Sequence, residues 1–329
     1  MHPTRRALLA TGLFSLLMSP VTAGMACAQT FPDKPVRILV PYTAGGPADV
    51  LVRALGQKLS ETWGQPVIVD NRPGANEMIA AEAVAKAPGD GYTFLVASDA
   101  VFSLNHHLYS KVPYDPVGDF VPVSKLVNAN LMLVAKPDFP AATAREAIEY
   151  IKRNPGKINY GSVGAGGVNH LGMAWLGSVI GLEMQHVPYK GLPPALQDLV
   201  SGRIDIMFAV IGGAAPFIEA GKLKGLAVAG RARSVLAPNV PTFAESGFPN
   251  FDASFYFGVA APKGTPAAVV AKFARDAGVI VNTDEFKTRY LRNLGFEAVG
   301  DTPEQFGAFL KTDRALGAQK VKASGAKLD

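Results

Sequence analysis

Apolar positions along this chain follow two periods. Val36-Arg37-Ile38-Leu39-Val40 is a short apolar run of strand length. Over 50–63, Leu51, Ala54, Leu55 and Leu59 recur at helical spacing. The same reading predicts strands at 67–69 and 93–96 and a helix at 79–87. A second set starts near residue 130, with strands at 131–135, 158–160, 184–187, 204–209 and 223–229. Helices at 143–153, 168–180, 194–200 and 214–220 separate them. After Pro249 a strand at 254–261 precedes three helices, at 266–281, 284–293 and 303–324. Strands alternating with helices predict an α/β fold with parallel sheets and crossover connections. A closing run of helices without strands serves best as cover for a sheet already built, so residues near 255–329 are expected to return to the first lobe. The expected lobes are 29–127 plus 253–329, and 128–252. Two crossings, near 124–130 and 249–257, would form a two-segment hinge.

Three turns of similar design end strands of this pattern. They are Pro41-Tyr42-Thr43-Ala44-Gly45-Gly46-Pro47-Ala48-Asp49, Ala97-Ser98-Asp99-Ala100 and Tyr160-Gly161-Ser162-Val163-Gly164-Ala165-Gly166-Gly167. Glycines and small residues between a strand and a helix leave backbone N–H groups free at the positive end of the helix dipole. An anion can approach there without meeting a side chain. Ligands of open α/β sheets sit beyond the carboxyl ends of the strands, where all three turns fall. Two such turns far apart in sequence predict one small carboxylate held between two lobes. The expected contacts are Tyr42, Thr43, Ala44, Gly45, Gly46 and Asp49, then Ser98 and Asp99, then Ser162, Val163, Gly164, Ala165 and Gly166. His170, in the first turn of the following helix, joins them. Tyr189 and Phe208 are candidates for apolar walls, with the Tyr189 hydroxyl able either to reach ligand or to pack. Ala209 is expected at the site as a position without an acid.

Composition alters this picture mainly at the amino end. Arg5 and Arg6 precede an uncharged apolar stretch at 7–18, and Ala26-Cys27-Ala28 has the small-x-small pattern of a cleavage site. Residues 1–28 are therefore expected to be a removed signal peptide, of Sec or twin-arginine type, which places the protein in the periplasm. Cys27 is the only cysteine and would leave with it, so no disulfide or thiolate site is expected. With 48% hydrophobic residues the remaining chain can build two cores. The formal charge of +5 includes Arg5 and Arg6, and the other basic residues are scattered, as at Lys34, Arg37, Arg53 and Lys58. That scatter excludes a nucleic-acid surface.

Catalytic templates fail. Ser162 follows Tyr160-Gly161, whereas a nucleophile elbow needs glycine two positions before the serine, and no base is apparent near it. Gly164-Ala165-Gly166-Gly167-Val168-Asn169 lacks the third glycine of a dinucleotide fingerprint. His106 and His107 are adjacent and point apart, while His170 and His186 stand alone in sequence. No cofactor or metal is expected, and neither is an enzymatic activity.

Several segments together resemble the periplasmic solute-binding proteins of the tripartite tricarboxylate transporter family, also called Bug receptors. They include Phe31-Pro32-Asp33-Lys34-Pro35-Val36-Arg37, Val40-Pro41-Tyr42-Thr43-Ala44-Gly45-Gly46, Asn71-Arg72-Pro73-Gly74-Ala75 and Gly89-Asp90-Gly91-Tyr92-Thr93. Val112-Pro113-Tyr114-Asp115-Pro116, Asn159-Tyr160-Gly161-Ser162, His186-Val187-Pro188-Tyr189-Lys190-Gly191 and Ala220-Gly221-Lys222-Leu223-Lys224 continue the series. The resemblance implies a two-lobed, type II-like periplasmic binding fold that closes over a carboxylate held by 42–46 and 162–166. It also implies a monomeric receptor delivering its ligand to a membrane permease of one large and one small subunit. A sensor docking on a signalling partner is the alternative, and a secreted hydrolase using Ser162 or Asp99 is a third reading. Three departures stand out: Pro47-Ala48 replaces glycine-threonine, Asn76-Glu77-Met78 replaces a glycine-rich stretch, and Ala209 stands where an aspartate usually follows Ile206-Met207-Phe208.

Overall fold

The computed structural model describes residues 31–328 apart from positions 182 and 231; the expected signal peptide lies outside the described residues. The chain opens with β1 (Val36–Val40), β2 (Val67–Asn71), β3 (Thr93–Ser98) and β4 (Phe120–Ala129). It continues through β5 (Leu131–Ala135), β6 (Asn159–Ser162), β7 (Gln185–Pro188), β8 (Ile206–Val210) and β9 (Lys224–Val228), then β10 (Phe255–Pro262) and β11 (Phe296–Ala298). Two sheets result, in the orders β11-β4-β10-β3-β1-β2 and β7-β6-β8-β5-β9.

Two expectations need correction. The sheets are mixed rather than parallel, because β10 runs antiparallel to both β3 and β4, and β5 runs antiparallel to β8 and β9. A strand entering from the other lobe need not follow a crossover helix, so the parallel rule holds only within each βαβ unit. The carboxyl-terminal segment also contains a strand: β11 pairs with β4 through Phe296↔Ala129 and Ala298↔Val127.

The chain passes from the first sheet to the second at Asn130, between β4 and β5, and returns after β9 to enter β10. The two crossings are hydrogen-bonded neighbours: Ala229 N–H donates to Leu131 O (2.8 Å) and Ala253 N–H to Ala229 O (3.1 Å). The continuous apolar core includes Phe94, Val96 and Phe273 on the first sheet and Phe208, Phe243 and Phe251 on the second.

Local chemistry sets the helix ends beside the turns. The helix Pro47–Trp63 starts with proline at its first position and stops at Gly64, whose φ of 66° is left-handed. Pro47 lengthens this helix by three residues relative to the periodicity at 50–63. The helix Val168–Ile180 stops the same way at Gly181 (φ 65°). Neither Gly46 nor Gly167 offers a side-chain cap, so both helices keep free N–H groups at their starts.

Candidate functional site between the two glycine turns

In the first turn, Thr43, Ala44 and Gly45 are exposed. Its fixed point is Asp49, buried in the first helical turn. The carboxylate accepts from Gly45 N–H (2.9 Å), Arg53 Nε (2.9 Å) and Asn71 Nδ2 (2.8 Å). Burial opposes its charge, but these donors win and hold the carboxyl below its usual range. Asp49 therefore braces the loop from behind, and the Gly45 N–H is already used. A Cβ on Gly45 would meet open space, so its φ of +82° is what calls for glycine there.

Behind this turn sits a group the sequence reading missed. Ala75, Asn76 and Glu77 all have positive φ (46°, 47° and 72°), three successive residues in a region that side chains disfavour. This is the stretch that departs from the glycine-rich pattern. The contortion drives the Glu77 carboxylate, 7% exposed, under the turn. There it accepts from the Tyr42 hydroxyl, the Ser98 hydroxyl and the Ser98 N–H (2.9 Å). Burial raises the Glu77 pKa, and burial with the neighbouring carboxylate holds the Tyr42 hydroxyl well above the phenol range. Tyr42 and Ser98 are thus brought together, and the hydroxyls of both point to Glu77.

The second-lobe turn, buried at Ser162, Gly166 and Gly167 and exposed at Ala165, is held by imidazoles. Ser162 Oγ lies 2.6 Å from His186 Nε2 and 3.0 Å from Gly164 O, and accepts from Gly164 N–H (3.2 Å). A hydroxyl has one proton, so Oγ donates either to Gly164 O or to His186 Nε2, and the His186 tautomer follows from that choice. Gly166 N–H donates to His170 Nδ1 (3.0 Å), which places the proton of that neutral ring on Nε2. The rings of His170 and His186 stack at 4.1 Å, with Tyr160 5.0 Å from His186. Burial, then the neighbouring His186, lowers His170 to about 4; burial lowers His186.

Two expectations change here. The histidines at 170 and 186 are a stacked pair, because the parallel register of β6 and β7 sets Tyr160 beside His186. Ser162 has a base within reach, yet it is fully buried and its Oγ is tied to both the N–H and the carbonyl of Gly164. That geometry suits a loop brace and not a nucleophile.

The lobes meet at these turns. A Cβ on Gly166 (φ 79°) would lie 2.9 Å from Asn76 Nδ2, 3.0 Å from the Tyr109 hydroxyl and 2.7 Å from Leu328 Cδ1. Tyr109 donates to Ala165 O (3.3 Å), and Asn76 Nδ2 donates to Asn105 Oδ1 (2.7 Å). A Cβ on Gly191 would lie 3.7 Å from Thr43 Oγ1, which sets the β7 end against the first turn. Asn76, in the stretch that departs from the glycine-rich pattern, is therefore a cleft residue, as is Tyr109, which no motif announced.

Four expected contacts lie elsewhere. The Tyr189 hydroxyl donates to Asp198 Oδ2 (2.8 Å) on the following helix. Phe208, fully buried, packs on Phe243 and Phe251. Ala209 is fully buried in the core on the other face of the sheet. Both side chains lie in β8, with a strand on each side and a packed core on each face, so neither forms a wall of the cleft. Asp99 lines a cavity of about 840 Å³ beside the crossings, and no residue of the two glycine turns borders that cavity.

The chain matches the model of the tripartite tricarboxylate transporter family receptor over residues 51–323. It is 33% identical over 311 residues to the Bordetella pertussis protein BugT, covering 93% of this chain and 95% of the relative. Among solved structures it is similar to Rhodopseudomonas palustris Rpa4515 with adipate (TM-score 0.86, 32% identity, 91% of this chain and 100% of that one). MatC from the same organism, with bound malate, gives a TM-score of 0.82 at 31% identity over 88% of this chain and 100% of that one. The periplasmic binding protein BugD gives 0.83 at 33% over 90% and 99%.

Proposed function

Because the chain belongs to the tripartite tricarboxylate transporter family of receptors, we propose that it captures a small organic carboxylate between its lobes outside the cytoplasm. It then delivers that ligand to a membrane permease of large and small subunits. Residues 29–127 with 253–329 would close on 128–252 about the paired crossings, as a monomer and after loss of residues 1–28. The observation that carries this reading is a pair of uncapped helix starts, at Gly46 on one lobe and Gly167 on the other, beside turns that approach the opposite lobe at Gly191 to Thr43 and Gly166 to Asn76. Free N–H groups and two helix dipoles favour an anion there, with little need for a lysine or arginine.

The ligand is expected to lack an amino group. The acids beside the turns are engaged: Asp49 by Gly45, Arg53 and Asn71, and Glu77 by Tyr42 and Ser98. A buried ammonium would find no carboxylate to pair with and would bear its desolvation cost alone. The adipate and malate of the similar structures are ligands of that class. Calorimetric titration of the mature protein with adipate, malate, succinate, aspartate and glutamate tests the reading. A dicarboxylate without an amino group should bind tightest. Tightest binding of either amino acid overturns it.

A further inference from the structure

The cavity beside the crossings differs in kind from the carboxylate cleft. Its volume of about 840 Å³ is that of a site for a small organic molecule, well beyond the needs of a bare ion. Among its charged lining residues acids outnumber bases: Asp99, Asp252, Glu297 and Asp313 against Lys125 and Lys320. An acidic cluster alone would mean little, but one member stands in an unusual state. Asp99 is 7% exposed, and its Oδ1 is buried with no hydrogen-bond partner. It lines this cavity and also the small chamber of about 30 Å³ beside it. A buried acceptor left empty is costly, and its natural complement is a strong donor from outside.

The apolar walls suit the same donor. Lys320 Nζ lies 5.7 Å from the Trp175 ring centroid and Lys125 Nζ 3.9 Å from that of Phe309. Two aromatic walls of the cavity thus already accept ammonium groups of the chain itself. Asp313 is occupied by the Tyr256 hydroxyl (2.9 Å) and the Ser103 hydroxyl, and Lys125 faces Asp301 at 3.9 Å. Asp99 is the acid that remains to be filled.

We propose that this cavity is a second ligand site, selective for a small organic ammonium ion whose N–H groups donate to Asp99 while its carbon skeleton lies against Trp175 and Phe255. The walls come from both lobes, with Asp99 and Tyr256 on the first sheet's side and Trp175 on the helix Val168–Ile180 of the second. A bound ammonium touches both and favours the lobe arrangement seen here. Burial, then repulsion from Asp313, raises the free Asp99 carboxyl to about 8, with Lys320 pulling the other way and Glu77 adding to the rise. A cationic guest reverses that balance and binds with release of a proton.

The test is calorimetric titration of the mature protein with butylammonium chloride, beside tetramethylammonium, potassium chloride, butanol and butyrate. Butylammonium should bind saturably, with butanol and potassium at least tenfold weaker. Tetramethylammonium, which has no N–H, should also be weaker. Asp99→Asn keeps the shape and removes the charge, and should weaken butylammonium at least tenfold. Trp175→Leu should weaken it about fivefold. The proposal is overturned by the absence of saturable heat, by equal affinity in the Asp99→Asn protein, by displacement with equimolar potassium, or by butyrate binding that Lys320→Met abolishes. Retained circular dichroism in all three variants separates lost binding from lost folding.

Discussion

Glu77 and Asp99 are equally buried, each 7% exposed, and the fold treats their carboxyls in opposite ways. Glu77 is reached through three left-handed residues and is then surrounded by donors from Tyr42 and Ser98. Asp99, near it in space, keeps one oxygen without a donor and faces a cavity. One acid is part of the scaffold that shapes the first-lobe turn. The other has the character of a vacant subsite, since a structural acid at that burial would normally have its acceptors filled. Burial alone distinguishes neither role; the donor count does.

The strongest break of this comparison is Glu77→Ala. It strands the Tyr42 hydroxyl and both Ser98 donors and should destabilise the protein by about 3 kcal/mol, read by urea denaturation. A loss under about 1 kcal/mol would make Glu77 as dispensable as an unpaired acid. Asp99→Asn should act in the other direction. The folded-state pKa of about 8 lies above the ordinary 3.8, so the native state holds the extra proton between those values and stability falls as pH rises through that window. The Asn variant lacks this loss and should be more stable by about 2 kcal/mol at pH 8, with little difference near pH 4. A stability gain that does not vary with pH would assign the effect to packing.

The imidazole pair supplies a control of opposite sign. His170 is depressed from 6.5 to about 4, so its contribution is complete above pH 6.5 and is lost as pH falls toward 4. About 2 kcal/mol should disappear across that range, and His170→Gln should flatten the slope. An unchanged slope in that variant would place the acid sensitivity elsewhere.

Much of this was legible in the sequence because it rests on glycine and periodicity. The turns at 41–46 and 160–167 stand where expected, and the strand at 254–261 appears as β10, displaced by one residue. Strand direction was not legible, since alternation shows which face is buried but not which neighbour pairs. β11 escaped because three residues show no period. β4 lacks clean alternation because its pairing with β10 is irregular at Phe257/Gly258 and Val259/Ala260. In the site, the braces were invisible for a different reason. His186 reaches Ser162 from 24 residues away through strand register, and Glu77 reaches Tyr42 from 35 residues away through backbone torsion. The departure at Asn76-Glu77-Met78 was a signal of changed bulk, whereas its actual effect is a buried hydrogen-bond hub.

The smallest expected effect isolates the strain that positions Glu77. Its φ of 72° follows Asn76 at 47° and Ala75 at 46°, and an alanine at position 77 keeps the clash between Cβ and backbone that disfavours this region. Glycine has no Cβ and adopts the conformation freely. Both Glu77→Ala and Glu77→Gly delete the carboxylate, so the lost hydrogen bonds cancel between them. Glycine should therefore be the less damaging substitution by about 1 kcal/mol, although it adds freedom to the unfolded chain. The contrast inverts the usual order of these two residues beside a helix start, and double-jump denaturation of the pair reads it directly. If alanine is the milder change, the left-handed run relaxes when the carboxylate is removed, and Glu77 itself holds the backbone in that conformation. The hydrogen bonds to Tyr42 and Ser98 would then be the cause of the contorted segment rather than its consequence.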